Sequence, residues 1–232
     1  MKVILVLILS FSALSQNKVI PNFGEAKSIL RNIYGNKNIT FYCGCAYQKR
    51  SIKSGCSLKS LKKRKRDTRL EWEHIVPASR FGKTFESWSA SKSLCPPRKR
   101  KNGKMKKISS RKCASKKSKS FRLMSSDLFN LVPVVGTVNA WRSAKKMKVI
   151  KDGKIICNDV SHSKGFFSPP KSKKGNIARI YLYMSHVYPD HFKLSQKEIK
   201  MFDLWNKTDP VDDNECKIYY HKSKMLLLTY LI

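Results

Sequence analysis

The chain has 232 residues, 41% of them hydrophobic, which is enough to bury one sizeable core and makes a single domain the first expectation. Its 49 Lys plus Arg against 15 Asp plus Glu give a formal net charge of +34, a field that repels cations and concentrates polyanions such as nucleic acid, anionic lipid or acidic glycans. Aromatic residues make up 10% of the chain and include four Trp, which argues against a disordered, solvating polybasic tail and for a folded basic domain.

The first residues, MKVILVLILSFSALSQ, carry one lysine, an apolar run from Val3 to Leu14 and small residues around Ala13 and Ser15. A run of about 12 residues is too short for a span that needs roughly 20, so residues 1–16 are expected to be a cleaved secretory signal, without a membrane anchor, and the folded domain is expected over 17–232. Export changes the reading of Cys43, Cys45, Cys56, Cys95, Cys113, Cys157 and Cys216: in an oxidising compartment they are disulfide partners before they are metal ligands. A zinc reading of Cys43, Cys45 and Cys56 lacks a C-x-x-C knuckle with matching histidines. The odd count leaves at least one thiol over, or joined to another chain.

No internal repeat is visible. Basic runs occur at LKKRKR (61–66) and, much longer, across about 92–119, where apolar periodicity almost vanishes and an exposed basic loop is expected. Composition alone does not rank a nucleic-acid surface there above a plain solvated insertion. Cys95 and Cys113 bracket this segment, so they are expected to pair and close it, contributing about 3 kcal/mol by loop entropy.

Between these runs stands LEWEHIVPAS (70–79), with Glu71, Glu73 and His74 together in a chain poor in acids. RLEWEHIVP favours β-structure and stops at Pro77, which puts Glu73 and His74 at the end of a strand. Pleating sends neighbours to opposite faces, so the two would share a site only where the backbone leaves the pleat, as Pro77 allows. A neutral histidine can take a proton from water, and a carboxylate can hold a hard divalent cation. The plain alternative is a histidine satisfied at a strand end, and a Glu-His pair alone does not displace it.

Farther on, DLFNLVPVVGTVNAWRS reads as a short apolar strand, a break at Pro133 and Gly136, and a helix starting at Asn139 and running into AWRSAKKMK. In NIARIYLYMSHVY, residues Ile177, Ile180, Tyr181, Met184, Val187 and Tyr188 recur at three- and four-residue spacings, one apolar helix stripe facing the core. LSQKEIKMFDLWNK opens with Ser195 and Glu198 as a capping box, with Leu194 and Ile199 placed for a staple, and ends before Asp209-Pro210. Strands and helices without regular alternation favour an α+β fold.

Taken together, FYCGC (41–45), LEWEHIVPAS (70–79), FGKTFESW (81–88), DLFNLVPVVGTVN (127–139), GNIARIYLYM (175–184) and WNKTDPVDDNEC (205–216) resemble the bacterial endonuclease I family over roughly Phe41 to Cys216. The resemblance implies a single mixed α+β domain with a ββα-metal (His-Me finger) motif, exported to the periplasm or beyond. It further implies nonspecific cleavage of DNA, with RNA as a further substrate, by a monomer that uses one Mg²⁺, Mn²⁺ and Ca²⁺ being other candidates for the site. On this resemblance His74 is the general base, Glu73 and Asn139 are the metal ligands, Arg111 in SSRKC holds the scissile phosphate and Arg142 in NAWRS is a second phosphate contact. The physics suits those roles, since an ion with few protein ligands keeps positions open for phosphate and water, and arginine offers a bidentate fork.

The chain departs from the family pattern in three places. Ser125 stands where some members carry glutamate, Ala140 follows the asparagine where the family has glycine, and the tail 217–232 lacks the basic segment and final cysteine expected there. A phosphate-contacting strip and one disulfide are therefore expected to be missing. The competing reading from another class is a catalytically inactive, basic nucleic-acid-binding or membrane-active secreted protein, for which Glu73, His74 and Asn139 would carry no special chemistry.

Overall fold

The computed structural model describes residues 16–228 apart from 36, 54–55, 57 and 59–65, so the expected leader up to residue 15 and the basic run 61–65 lie outside the described residues. Helix α1 (Phe23–Tyr34) begins where Asn22, extended, accepts a hydrogen bond from the Glu25 amide and satisfies a donor that a helix start leaves free. It stops at Gly35, whose φ of 71° glycine adopts without strain. Its Ala26 and Leu30 bury against Ile20, Trp72, Leu128 and Leu131 in a small second core. Strands β1 (Lys37–Ile39), β2 (Ala46–Gln48) and β3 (Ser51–Ile52) follow as an antiparallel sheet.

The centre of the molecule is an antiparallel pair. Strand β4 (Leu70–His74) leads through three short helices, α2 (Ala78–Gly82), α3 (Glu86–Ser89) and α4 (Ser91–Leu94), into the basic segment. That segment is not a bare loop. It makes a small hairpin of β5 (Arg98–Lys99) and β6 (Met105–Lys106), then α5 (Ser110–Lys117), capped by Ser109, and α6 (Lys119–Ser125). Its lysines stay in water while Cys113 and Ala114 are buried, and the Cys95–Cys113 disulfide closes it as its bracketing cysteines suggest.

Strand β7 (Leu131–Val135) then pairs with β4, Trp72 opposite Pro133 and His74 opposite Leu131. All five of its residues are buried, which is why LVPVV reads as continuous apolar sequence. Pro133 is tolerated inside it because that residue's polar edge faces away from β4: its carbonyl accepts from the Phe41 amide at 2.8 Å, so no ladder bond needs the missing N–H. Helix α7 (Gly136–Arg142) follows at once and packs on both strands. It starts three residues before the expected position, leaving Asn139 inside the helix, and it ends at Ser143, whose φ of 48° turns the chain, so that SAKKMK does not extend it.

The remaining chain forms β8 (Lys146–Met147), β9 (Lys154–Cys157), β10 (Val160–His162) and β11 (Phe166–Ser168), a four-stranded sheet of order β8-β11-β10-β9. Cys43–Cys157 ties that sheet to the segment before β2, and Cys45–Cys56 staples the first sheet, so these cysteines are disulfide-bonded and Cys216 is free. Helices α8 (Lys174–Val187) and α9 (Gln196–Thr208) pack together, with the expected stripe from Ile177 to Tyr188 buried and the Ser195–Glu198 capping box formed. Residues 217–228 of the tail that departs from the family pattern lie in helix α10 (Asp213–Leu228), packed on α1. Its buried Lys222 donates to the Leu131 carbonyl at 3.2 Å and lies over the rings of Tyr34 and Tyr219. Helices and small sheets are mixed without regular alternation, as an α+β fold requires.

The contact between α8 and the end of α9 is tight at one glycine. A Cβ on Gly175 would stand 1.8 Å from the Asp209 carbonyl oxygen, a backbone atom that Arg179 also holds. Gly175→Ala is therefore expected to lower stability by about 3 kcal/mol through forced backbone displacement, as a shift of the urea midpoint at unchanged slope. A midpoint equal to that of the parent protein would show that the two helices are not packed this closely.

Candidate active site

The cleft of about 620 Å³ beside β4 is lined by all five residues from Leu70 to His74. A strand shows five consecutive side chains to one cavity only along an edge, and β4 pairs with β7 on one side alone in its two-stranded sheet. Even-numbered Trp72 and His74 point to the α1 side, where Trp72 packs in the second core and the His74 ring lies 4.9 Å from that of Phe23. Odd-numbered Glu71 and Glu73 point to the α7 side, toward Asn139 and Arg142. Adjacent Glu73 and His74 thus reach one cleft from opposite faces, and the departure from the pleat that the sequence suggested is not needed.

His74 is buried, and its Nε2 lies 2.8 Å from the Ser125 carbonyl oxygen. A carbonyl only accepts, so Nε2 carries the proton and Nδ1 presents a lone pair, 3.4 Å from Nη2 of Arg111. Burial, reinforced by the charge of Arg111 and opposed by the Ser125 bond, lowers the imidazole pKa to about 3, so the ring is neutral at neutral pH. The Ser125 hydroxyl turns away and donates to the Arg122 carbonyl. It is the backbone of residue 125 that orients the histidine, and the exchange of glutamate for serine there leaves this bond intact.

Glu73 is 3% exposed. Its Oε1 accepts from the Tyr42 hydroxyl at 3.2 Å and pairs with Arg142 Nε at 3.1 Å, while Oε2 is buried with no hydrogen-bond partner among the described residues. Burial outweighs the pull of Arg142 and the Tyr42 hydrogen bond and raises its pKa to about 7. Glu71 differs in every respect. Arg66 and Arg69 both hold it, and Asn139 Nδ2 donates to its Oε2 at 2.9 Å. Burial pushes its carboxyl up, but the hydrogen bonds from Arg66 and Arg69 override this and hold it below the usual range.

Arg142 is fully buried. Its guanidinium donates to the carbonyls of Ile75 and Ser143 and to the Tyr181 hydroxyl besides facing Glu73. The side chain expected as a second phosphate contact is thus buried beside Glu73, where a buried carboxylate on β4 needs a counter-charge inside the core. Arg111 does reach the cleft, from the helix that the Cys95–Cys113 disulfide holds, with its guanidinium 5.6 Å from the Phe23 ring centre.

Further cations line the same cleft: Lys27 and Arg31 of α1, with Arg50, Arg66 and Arg69. The sequence reading passed over α1, although Phe23, Lys27 and Arg31 recur every four residues behind a capping asparagine. It named Glu71 without a role, and the Ser125 carbonyl leaves no side-chain signal to read. A neutral imidazole, a carboxyl group and an amide on residues that line one basic cleft suit hydrolysis of an anionic ester. The orphaned Glu73 Oε2 and the Asn139 amide oxygen, both hard donors, fit a divalent cation, which would complete the buried carboxylate.

Comparison with known proteins gives three kinds of relative. The family model described as Endonuclease I matches residues 11–219. Endonuclease-1 of Buchnera aphidicola subsp. Acyrthosiphon pisum is 35% identical over 213 residues, covering 87% of this chain and 76% of the relative. An extracellular deoxyribonuclease of Aeromonas hydrophila is 32% identical over 224 residues, 92% of this chain and 87% of the relative. A periplasmic deoxyribonuclease of the same organism is 32% identical over 206 residues, covering 84% and 78%.

The burial of Arg142 yields a test of its role. Arg142→Ala leaves Glu73 without its counter-charge in the core and is expected to reduce stability by about 3–5 kcal/mol in chemical denaturation. A phosphate contact at the surface would instead leave the unfolding midpoint unchanged while weakening nucleic-acid binding.

Proposed function

Because this chain belongs to the endonuclease I family, we propose that it is an exported, nonspecific endonuclease that hydrolyses DNA, and also RNA, with His74 as general base and one Mg²⁺ held by Glu73 and Asn139. In this reading β4, β7 and α7 form the ββα-metal motif. Three disulfides suit an oxidising compartment, relatives are named extracellular and periplasmic, and no described helix is long and apolar enough to cross a membrane.

The observation that carries the reading is the state of His74: Nε2 is committed to the Ser125 carbonyl, which leaves the lone pair of Nδ1 facing Arg111 at 3.4 Å in the cleft that Glu73 and Asn139 also line. A phosphodiester drawn in by Lys27, Arg31, Arg50, Arg66 and Arg69 meets Arg111, the cation nearest the base. Once a phosphate engages Arg111, the positive charge that depresses His74 is offset, and the imidazole becomes a stronger base as substrate arrives. Water attacks phosphorus and gives its proton to Nδ1, the bond from phosphorus to the leaving oxygen breaks with its electron pair passing to that oxygen, which takes a proton from solvent water, and the resulting imidazolium is stabilised by the Ser125 carbonyl at Nε2. The bound ion supplies neutralisation of the charge that develops on the phosphoryl and leaving oxygens. Arg111 holds the non-bridging oxygens through its fork.

A plasmid assay with Mg²⁺ and with EDTA checks the activity, and His74→Ala checks the mechanism. The variant keeps the arginines and both oxygen ligands, so DNA affinity is expected to stay near that of the parent while cleavage falls by about 10²- to 10⁴-fold. A folded, disulfide-intact His74→Ala protein that cuts at the parent rate, or a parent that binds DNA and never cuts it, would overturn the proposal.

A further inference from the structure

Asparagine is an awkward metal ligand because only one of its two terminal atoms can serve. The Oδ1 oxygen coordinates a cation, the Nδ2 amine repels it, and a half-turn about the last side-chain bond exchanges them. Something must hold the amide one way round. In this chain Nδ2 of Asn139 donates to Glu71 Oε2 at 2.9 Å, and an ionised carboxylate accepts hydrogen bonds but donates none, so the oxygen of the amide is left for the cleft.

The carboxylate that does this is itself held by two arginines. Arg66 Nε donates to Oε1 at 3.0 Å and Arg66 Nη2 lies 2.5 Å from Oε2, while Arg69 also binds Oε1. On the helix that carries Asn139, the first residue is Gly136, and a Cβ there would meet Glu71 Oε1 at 2.9 Å and the Arg66 carbonyl at 2.8 Å. The helix start is therefore shaped to admit this carboxylate. Among the described residues Arg66, Arg69 and Asn139 together supply donors to both oxygens of Glu71, whereas Oε2 of Glu73 has none.

We propose that Glu71, held by Arg66 and Arg69, is the positioning residue that locks the Asn139 amide with its oxygen toward the metal and is not itself a ligand. The proposal rests on the assignment of Glu73 and Asn139 as the ligand pair. It gives Glu71, the first acid of EWEH, a role different from that of Glu73, the second, although both lie on one face of one strand.

Mn²⁺ affinity, measured by calorimetry on the whole folded protein without nucleic acid, separates the two roles. Glu71→Ala is expected to weaken Mn²⁺ binding by about tenfold or more, the usual effect of removing a group that orients a metal ligand. The same substitution made together with Asn139→Asp is expected to change affinity by about threefold or less relative to Asn139→Asp alone, because a carboxylate presents oxygen whichever way it is turned. Equal losses in both backgrounds would make Glu71 a direct ligand and overturn the proposal, as would no loss in either. If Glu71→Ala proves unstable, Glu71→Met, which fills the space but cannot accept the Asn139 hydrogen bond, carries the same comparison. Unchanged Mn²⁺ binding in Glu73→Ala and Asn139→Ala would instead sink the underlying ligand assignment, a result distinct from any of these.

Discussion

A carboxylate on the central strand is buried, and the ion pair between Glu73 and Arg142 holds it there. Burying either charge alone is prohibitive, and burying both is tolerable only when the remaining donors and acceptors are met. Arg142 meets this condition with the carbonyls of Ile75 and Ser143 and the Tyr181 hydroxyl, and Glu73 Oε1 with the Tyr42 hydroxyl. The pair therefore joins β4 and the chain just beyond it to the end of α7, to α8 and to the segment before β2. It settles the angle at which α7 leaves the strand pair, and with it the place of Asn139. Among the described residues two atoms of the network have no hydrogen bond: Arg142 Nε, which faces Glu73 Oε1 at 3.1 Å as an ion pair, and Glu73 Oε2, the oxygen that the proposed chemistry uses as a ligand.

Around that core the distribution of charge follows from its scarcity on one side. With 15 acids against 49 basic residues, carboxylates are few enough to be followed individually. Glu198 pairs with Arg80, Glu215 with Arg179, Glu71 with Arg66 and Arg69, and Glu73 with Arg142. Buried Asp127 accepts from the hydroxyls of Tyr183 and Tyr188. These contacts fasten elements to each other, and most cationic side chains remain in water, free to meet a polyanion. Such a surface repels itself and loosens the compact state. Three disulfides, one spanning 114 residues, counter that loosening by restricting the unfolded chain.

Features carried by local pattern were legible in the sequence. The stripe of α8, the capping box of α9, the strand at LEWEH and the closing of the basic segment by Cys95 and Cys113 all depend on neighbours close in the chain. What escaped depends on contacts made across the fold. The burial of Arg142, expected only as a second phosphate contact, follows from Glu73, 69 positions earlier by residue number, and no local signal carries that pairing. Pro133 looked like a strand break because its unpaired edge is visible only once Phe41 bonds to its carbonyl. The basic segment looked unstructured because its order comes from a hairpin and a disulfide and owes nothing to apolar periodicity. The family motifs pointed to His74, yet the atom that orients its ring, the Ser125 carbonyl, belongs to the backbone and is the same for any side chain at that position.

The central claim is that Glu73, through the oxygen its buried ion pair leaves open, and not Glu71, is the acid that holds the cation. Anomalous diffraction from crystals soaked in Mn²⁺ measures this directly. The account predicts a single strong peak in the cleft in contact with Glu73 Oε2 and Asn139 Oδ1, with Glu71 still bound to Arg66 and Arg69. A peak ligated by Glu71, with Glu73 remaining wholly within its pair with Arg142, would contradict it.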